Sequence, residues 1–167
     1  LASSGTVALT ATATGFSPGV ADAALQPAGF IITQGDWCPF CFRPSFNTTT
    51  GSPNTPLDVV SVRLTPGTLA YEVSQPVRGG ITVNVTVQST DSSGTNVGSM
   101  TPSTVSFTGN VFVAQTAFDP ANPGTAIVEP VPPAGFTPPS TFRQLTANVT
   151  APAITLAVNT VGVHSAA

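Results

Sequence analysis

Lysine is absent from this chain of 167 residues, whose only cations besides its single histidine are Arg43, Arg63, Arg78 and Arg143. Four scattered arginines cannot neutralise a run of phosphates, which disfavours nucleic acid as a partner. Nor can they build the basic amphipathic stretch that adheres to an anionic membrane surface. No apolar run reaches the length needed to span a bilayer, so no membrane insertion is expected. The carboxylates Asp22, Asp36, Asp58, Glu72, Asp91, Asp119 and Glu129 are dispersed, with neither an acid–base pair nor a calcium-type cluster visible. The single histidine, His164, leaves no serine with a plausible His and Asp arrangement, and there is no glycine-rich phosphate loop. The sequence therefore predicts a protein that is not an enzyme and needs no cofactor.

Charged residues make up only 7% of the chain, with a net charge of −3 and a pI near 4.6. Globular domains ordinarily carry roughly a quarter. Apolar residues at 41% suffice for a packed core. The polar surface must then come from Thr, Ser, Asn and Gln, which hydrate through neutral groups. Little charge repulsion keeps copies apart, and association is expected. Leu1 to Gly5 lack the charged start and apolar centre of a secretory leader, so if the protein is exported the chain is expected to be a mature form or an internal fragment.

What is abundant is period-two alternation. Ile81, Val83, Val85 and Val87 alternate with Thr82, Asn84, Thr86 and Gln88, the pattern of a half-buried antiparallel strand. Thr6 to Thr14 repeats it with smaller residues, and Leu145, Ala147 and Val149 alternate with Gln144, Thr146 and Asn148. Shorter strands are predicted at Phe30–Thr33, Val59–Leu64, Thr104–Phe107, Val111–Phe118 and Ile154–Val158. Turn signals separate them at Ser17-Pro18-Gly19, Thr65-Pro66-Gly67, Arg78-Gly79-Gly80, Asp91 to Gly94 and Asn122-Pro123-Gly124. Seventeen prolines and fifteen glycines spread along the chain leave little room for helix. The predicted class is all-β, and short strands with turns about every ten residues indicate a β-sandwich.

An internal repeat refines this. Gly5-Thr6 followed by Gly15-Phe16-Ser17-Pro18 returns, with one inserted residue, as Gly124-Thr125 followed by Gly135-Phe136-Thr137-Pro138. Residues 1–33 then read as the last strands of one domain, 34–57 as a linker and 58–151 as a complete sandwich. Residues 152–167 read as the opening strand of a further domain, or as a donor strand. Each end carries a partial domain that cannot close a sandwich alone.

These strand-turn motifs, with the Val-Thr-Val strand before Ser89-Thr90-Asp91 and the Ala153-Ile154-Thr155-Leu156 start, resemble bacterial immunoglobulin-like (Big-type) tandem repeats of secreted and cell-surface proteins. The resemblance implies β-sandwich modules with a spacer, stalk, adhesive or filament role. Residues 34–56 depart from it, and it implies nothing about their two cysteines.

Trp37-Cys38-Pro39-Phe40-Cys41 is the one constellation that looks chemical. A Cys38–Cys41 disulfide loop would pin an inter-domain connection in an oxidising compartment. A thiol–disulfide redox pair is the second reading, although Arg43-Pro44 forbids a long helix directly after it. Half a structural zinc site is the third, and His164 alone cannot complete it. A pinned loop places Trp37, Phe40, Phe42 and Phe46 as an apolar cluster, packed within the chain or against a neighbouring domain or subunit. Asn47, Asn84 and Asn148 head N-glycosylation triplets, those at Asn84 and Asn148 on polar strand faces.

The leading functional expectation is a structural subunit or repeat of an extracellular filament, stalk or surface layer, located outside the cell or on its surface. Copies of the chain are the expected partners, joined head to tail as Ile154, Leu156 and Val158 complete the open fold at residues 1–33 of the next copy. The alternatives are an adhesin or carbohydrate-binding module that meets glycans or a cell surface through Trp37, Phe40 and Tyr71, and a redox role for Cys38 and Cys41.

Overall fold

The computed structural model describes residues 5–35 and 42–154. Among them there are twelve strands and no helix. In chain order they are β1 (Gly5–Ala11), β2 (Gly19–Leu25), β3 (Ala28–Gln34), β4 (Ser45–Thr49), β5 (Thr55–Leu64) and β6 (Tyr71–Ser74). Then come β7 (Thr82–Thr90), β8 (Gly98–Thr101), β9 (Thr104–Thr108), β10 (Val113–Pro120), β11 (Gly124–Val131) and β12 (Leu145–Thr150).

Ten strands form two sheets. One runs β3-β5-β10-β8, with β6 extending the pairing along β5. The other runs β4-β12-β11-β7-β9, antiparallel throughout except for the parallel pair β4 and β12. Alternation along each strand sends one set of side chains between the sheets. From the first sheet come Phe30, Ile32, Leu57, Val59, Met100 and Phe118. From the second come Phe46, Val85, Val87, Val105, Phe107, Ala126, Val128, Leu145, Ala147 and Val149. Phe30 lies 5.0 Å from Phe107 and 4.7 Å from Phe136 between ring centroids, and Phe46 lies 5.5 Å from Phe118. The result is a two-layer, sandwich-like core.

The first sheet is apolar on its outer face as well. Ile31, Val60, Val62 and Leu64 are buried there under Leu69, Tyr71, Val113 and Phe142. Phe142 comes from the long connection between β11 and β12, which is bonded along this side of the sheet. Thr137 N–H donates to the Ala28 carbonyl, Ile32 N–H to Phe142 and Ser140 N–H to Leu69. The first two of these hydrogen bonds occupy the outer edge of β3 at Ala28 and Ile32, so that edge is partly covered.

The predicted boundaries do not divide this fold. β3 belongs to the sandwich, because its full length pairs with β5 from Ala28↔Arg63 to Gln34↔Leu57. The expected linker at 34–57 contains β4 and the start of β5, both bonded into the sheets. Non-local pairing overrides the turn-rich local sequence here.

The registers fix which strand ends lie together. β10 ends at Pro120 and β11 begins at Gly124, so the short turn between them joins one end of each sheet. Gln34, Thr49, Thr90 and Thr150 lie at this end. Ala28, Leu64, Thr82, Val131 and Leu145 lie at the other. The β1–β2 hairpin joins the sandwich through Gln26-Pro27 at that second end. The chain leaves β12 at the first.

Candidate functional site

β1 and β2 pair in full register from Gly5↔Leu25 to Ala11↔Gly19. Among the described residues they form a sheet of their own, with no third strand on either edge. Alternation puts Val7, Leu9, Ala11, Ala21, Ala23 and Leu25 on one face. That face is open, with Leu9 55% exposed and Val7 and Leu25 42% each. Two strands alone are marginal in water, and an uncovered apolar face adds to the deficit.

The sequence repeat gives this face a reference. β11 and β12 pair as Gly124↔Val149, Ala126↔Ala147 and Val128↔Leu145, against Gly5↔Leu25, Val7↔Ala23 and Leu9↔Ala21 in the hairpin. The backbone repeats too: Gly5 and Gly124 have φ of 140° and 152°, and Gly15 and Gly135 have 85° and 89°. In β11 and β12 the matching residues Ala126, Val128, Leu145, Ala147 and Val149 are all buried by the opposite sheet. A Cβ on Gly124 would meet Val97 at 2.7 Å, whereas one on Gly5 would meet nothing within 4 Å. Phe136 stacks on Phe30, while its counterpart Phe16 is 79% exposed. The hairpin thus has the form of the closing strand pair of a sandwich, and no layer among the described residues covers it.

At the far end, Ala151 to Ile154 are exposed and Ile154 is 91% accessible. Leu156 and Val158, the other expected donor residues, lie outside the described residues, as do Trp37, Cys38, Phe40, Cys41 and His164. The structure places two of the expected interface aromatics elsewhere. Phe46 is buried in the main core and offers no surface, because β4 pairs with β12 and turns it inward. Phe42 is half-buried, with its ring 4.2 Å from that of Phe142. Tyr71 is half-buried as well, 6.0 Å from Phe142.

Asn47, Asn84 and Asn148 all face outward from the second sheet, Asn47 beside Asn148 near one end and Asn84 near the other. Asn148 Nδ2 donates to Asn47 Oδ1 at 3.2 Å, and Ser106 Oγ donates to Asn84 Oδ1 at 2.7 Å. Three carboxylates make contacts within the fold. Glu72 pairs with Arg63 at 2.9 Å and Glu129 with Arg143 at 3.1 Å. Asp91 organises the loop after β7, its Oδ1 accepting from the Ser93 hydroxyl and from Ser93 and Thr95 N–H, its Oδ2 from Val97 N–H. The Ser93 hydroxyl hydrogen bond lowers its pKa most, against an opposing desolvation effect, with backbone N–H groups of Val97, Thr95 and Gly94 assisting. Asp58 is buried on the outer face of the first sheet, in register with Thr33 and Gln115. Among the described residues, no group of three His, Cys, Asp or Glu stands close enough to hold a metal ion.

Sequence reasoning found the hairpin through its alternation and its repeat. It missed a cleft of about 550 Å³ at the root of the hairpin, whose walls come from four separated segments. A second cleft of about 430 Å³, lined by Thr33, Gln34, Arg43, Thr55 and Gln115, borders residues 36–41 in sequence. Comparison with family models, with curated proteins and with solved structures gives no match to this chain.

Proposed function

We propose that this chain is a structural subunit or repeat of an extracellular filament, stalk or surface layer that assembles head to tail by completing an open β-fold. The observation that carries the reading is the open apolar face of β1 and β2, whose counterpart in β11 and β12 is fully covered. The two ends of the molecule support a head-to-tail contact. The hairpin leaves one end of the sandwich, and residues 151–154 leave the other. Residues 152–163 carry alternating Ile154, Leu156 and Val158, which suits a strand that adds to an open edge and fills the exposed face. Such a contact uses different surfaces on the two partners, so repetition gives a fibre unless the rotation closes a ring. A surface with few charges offers little resistance to it.

The fold assigned with this role is immunoglobulin-like. β3, β5, β10 and β8 take the places of strands A, B, E and D, and β12, β11 and β7 those of G, F and C. β4 runs parallel beside the G position. The departure is that β8 precedes β9 in the chain, so the strand added beside C follows the D strand. The Big-type repeat resemblance belongs to the same reading.

Negative-stain microscopy and sedimentation velocity test the proposal. The full chain forms elongated assemblies, and a chain lacking residues 152–167 stays monomeric with its sandwich intact. Unchanged polymerisation of the truncated chain would remove strand donation by that segment.

A further inference from the structure

In the sandwich, β4 lies beside β12 and runs parallel to it, from Thr146↔Ser45 to Thr150↔Thr49. β4 is a terminal strand of its sheet, with five residues and one large apolar side chain. That side chain, Phe46, stands in register with Ala147, and both are buried in the core. Hydrogen bonds at the two ends hold the pair, Thr146 N–H donating to the Pro44 carbonyl and Thr50 N–H to the Thr150 carbonyl. β12 therefore carries an alanine at the point where a short strand, distant in sequence, places its one large residue.

β2 repeats β12 up to that point. Ala23↔Val7 corresponds to Ala147↔Ala126, and Leu25↔Gly5 to Val149↔Gly124. Among the described residues, no strand lies beside β2 where β4 lies beside β12. The β1 edge has a different counterpart. β11 is flanked there by β7, an interior strand with β9 bonded along its far side. A single donated strand can reproduce the place of β4, whose backbone pairs on one side only. It cannot reproduce the place of β7, which needs a neighbour of its own.

We infer that residues 154–158 of a second copy lie along the β2 edge, parallel to β2, with Leu156 beside Ala23. Ile154 then stands beside Ala21 and Val158 beside Leu25, on the open face, while Thr155 and Ala157 turn to the other face. The segment is as long as β4, and Leu156 takes the role that Phe46 has beside Ala147. The direction suits a head-to-tail contact. A donor meets its neighbour's hairpin at the tip and runs toward the sandwich that follows, as β2 does. This placement rests on the assembly proposal and adds to it the edge, the direction and the register.

Two full-length variants make the contact once without forming a polymer. Leu9→Asp leaves a chain that only donates, and Leu156→Asp leaves one that only accepts. Sedimentation velocity of their mixture is expected to show a heterodimer. A benzophenone amino acid at Ala153 of the donor should crosslink to residues 19–21 of the acceptor, and one at Asn159 to residues 25–27, as mapped by mass spectrometry. Ala23→Leu in the acceptor should weaken the pair about tenfold by crowding Leu156, and Leu156→Ala in the donor should restore most of that loss. Ala24→Leu, on the opposite face, should leave the pair unchanged. Crosslinks to residues 5–12, crosslinks with the two ends exchanged, or an Ala23→Leu loss that Leu156→Ala does not rescue overturn the placement even though a heterodimer forms. A mixture that stays monomeric, with a parent chain that is monomeric too, removes the assembly proposal and this placement with it.

Discussion

Replacing Leu9 by Asp puts the assembly proposal under the most direct strain. Burying a Leu or Val side chain completely contributes about 1.5–3 kcal/mol. Leu9 keeps 55% of its surface exposed, and Val7 and Leu25 keep 42% each. Scaled by those fractions, each side chain has roughly 1 kcal/mol still to gain from a cover, so the three offer about 3 kcal/mol. Leu9→Asp loses the Leu9 share and sets a carboxylate against an apolar surface, at a cost of several kcal/mol. A combined loss of about 4 kcal/mol weakens association roughly a thousandfold. Sedimentation velocity over a concentration series should therefore show assemblies for the parent chain and monomer for the variant. The sandwich itself should be unaffected, with an unfolding free energy within about 0.5 kcal/mol of the parent. Thr10→Glu is the matched control. Thr10 lies on the opposite face of β1, at the position Glu129 occupies in β11, so a charge there should leave assembly intact. If Leu9→Asp assembles like the parent, or Thr10→Glu blocks assembly equally, the open face is not the contact.

Other outcomes follow from the core and the loops. Phe107→Ala, which removes a fully buried ring beside Phe30, should cost about 3–5 kcal/mol in denaturant unfolding. Gly98→Ala should cost about 1–3 kcal/mol, because its Cβ would enter the buried Phe118 ring and stand 2.6 Å from the Asp119 carbonyl. Asp91 supports the loop after β7 only while ionised. With its pKa held below the ordinary aspartate value, that support is present above the ordinary value and is lost as pH falls through the lowered one. Thermal unfolding of the parent and Asp91→Asn should therefore differ at neutral pH and converge in acid, and a gap that widens on acidification would contradict the assigned hydrogen bonds.

Strand character was legible wherever a strand buries one face and wets the other. In β7, Val85 and Val87 point inward and Asn84, Thr86 and Gln88 outward, as their spacing predicts. The same holds for Leu145, Ala147 and Val149 in β12. The structure departs from that reading where a strand depends on a distant partner. Ser45 to Thr49 carry one large apolar residue between turn-forming neighbours, so their parallel pairing with β12 leaves no local trace. Thr55-Pro56-Leu57 read as the end of the linker. Pairing with β3 on one side and β10 on the other holds them in a strand nonetheless. The cleft at the hairpin root was invisible for the same reason, since Gln26, Ser61, Arg78 and Phe136 are neighbours only after the sheets have formed.

The order of residues alone determined a helix-poor chain of alternating strands, a low-charge surface and a repeated strand-turn unit. Those properties are local, because a side chain's direction along a strand is set within two residues. Partner choice is not local. β1–β2 and β11–β12 share motif, register and glycine geometry, yet one pair lies inside a core and the other stands open. Only the packing of separate sheets made that distinction, since burial belongs to the surface that arrives opposite a strand rather than to the strand itself.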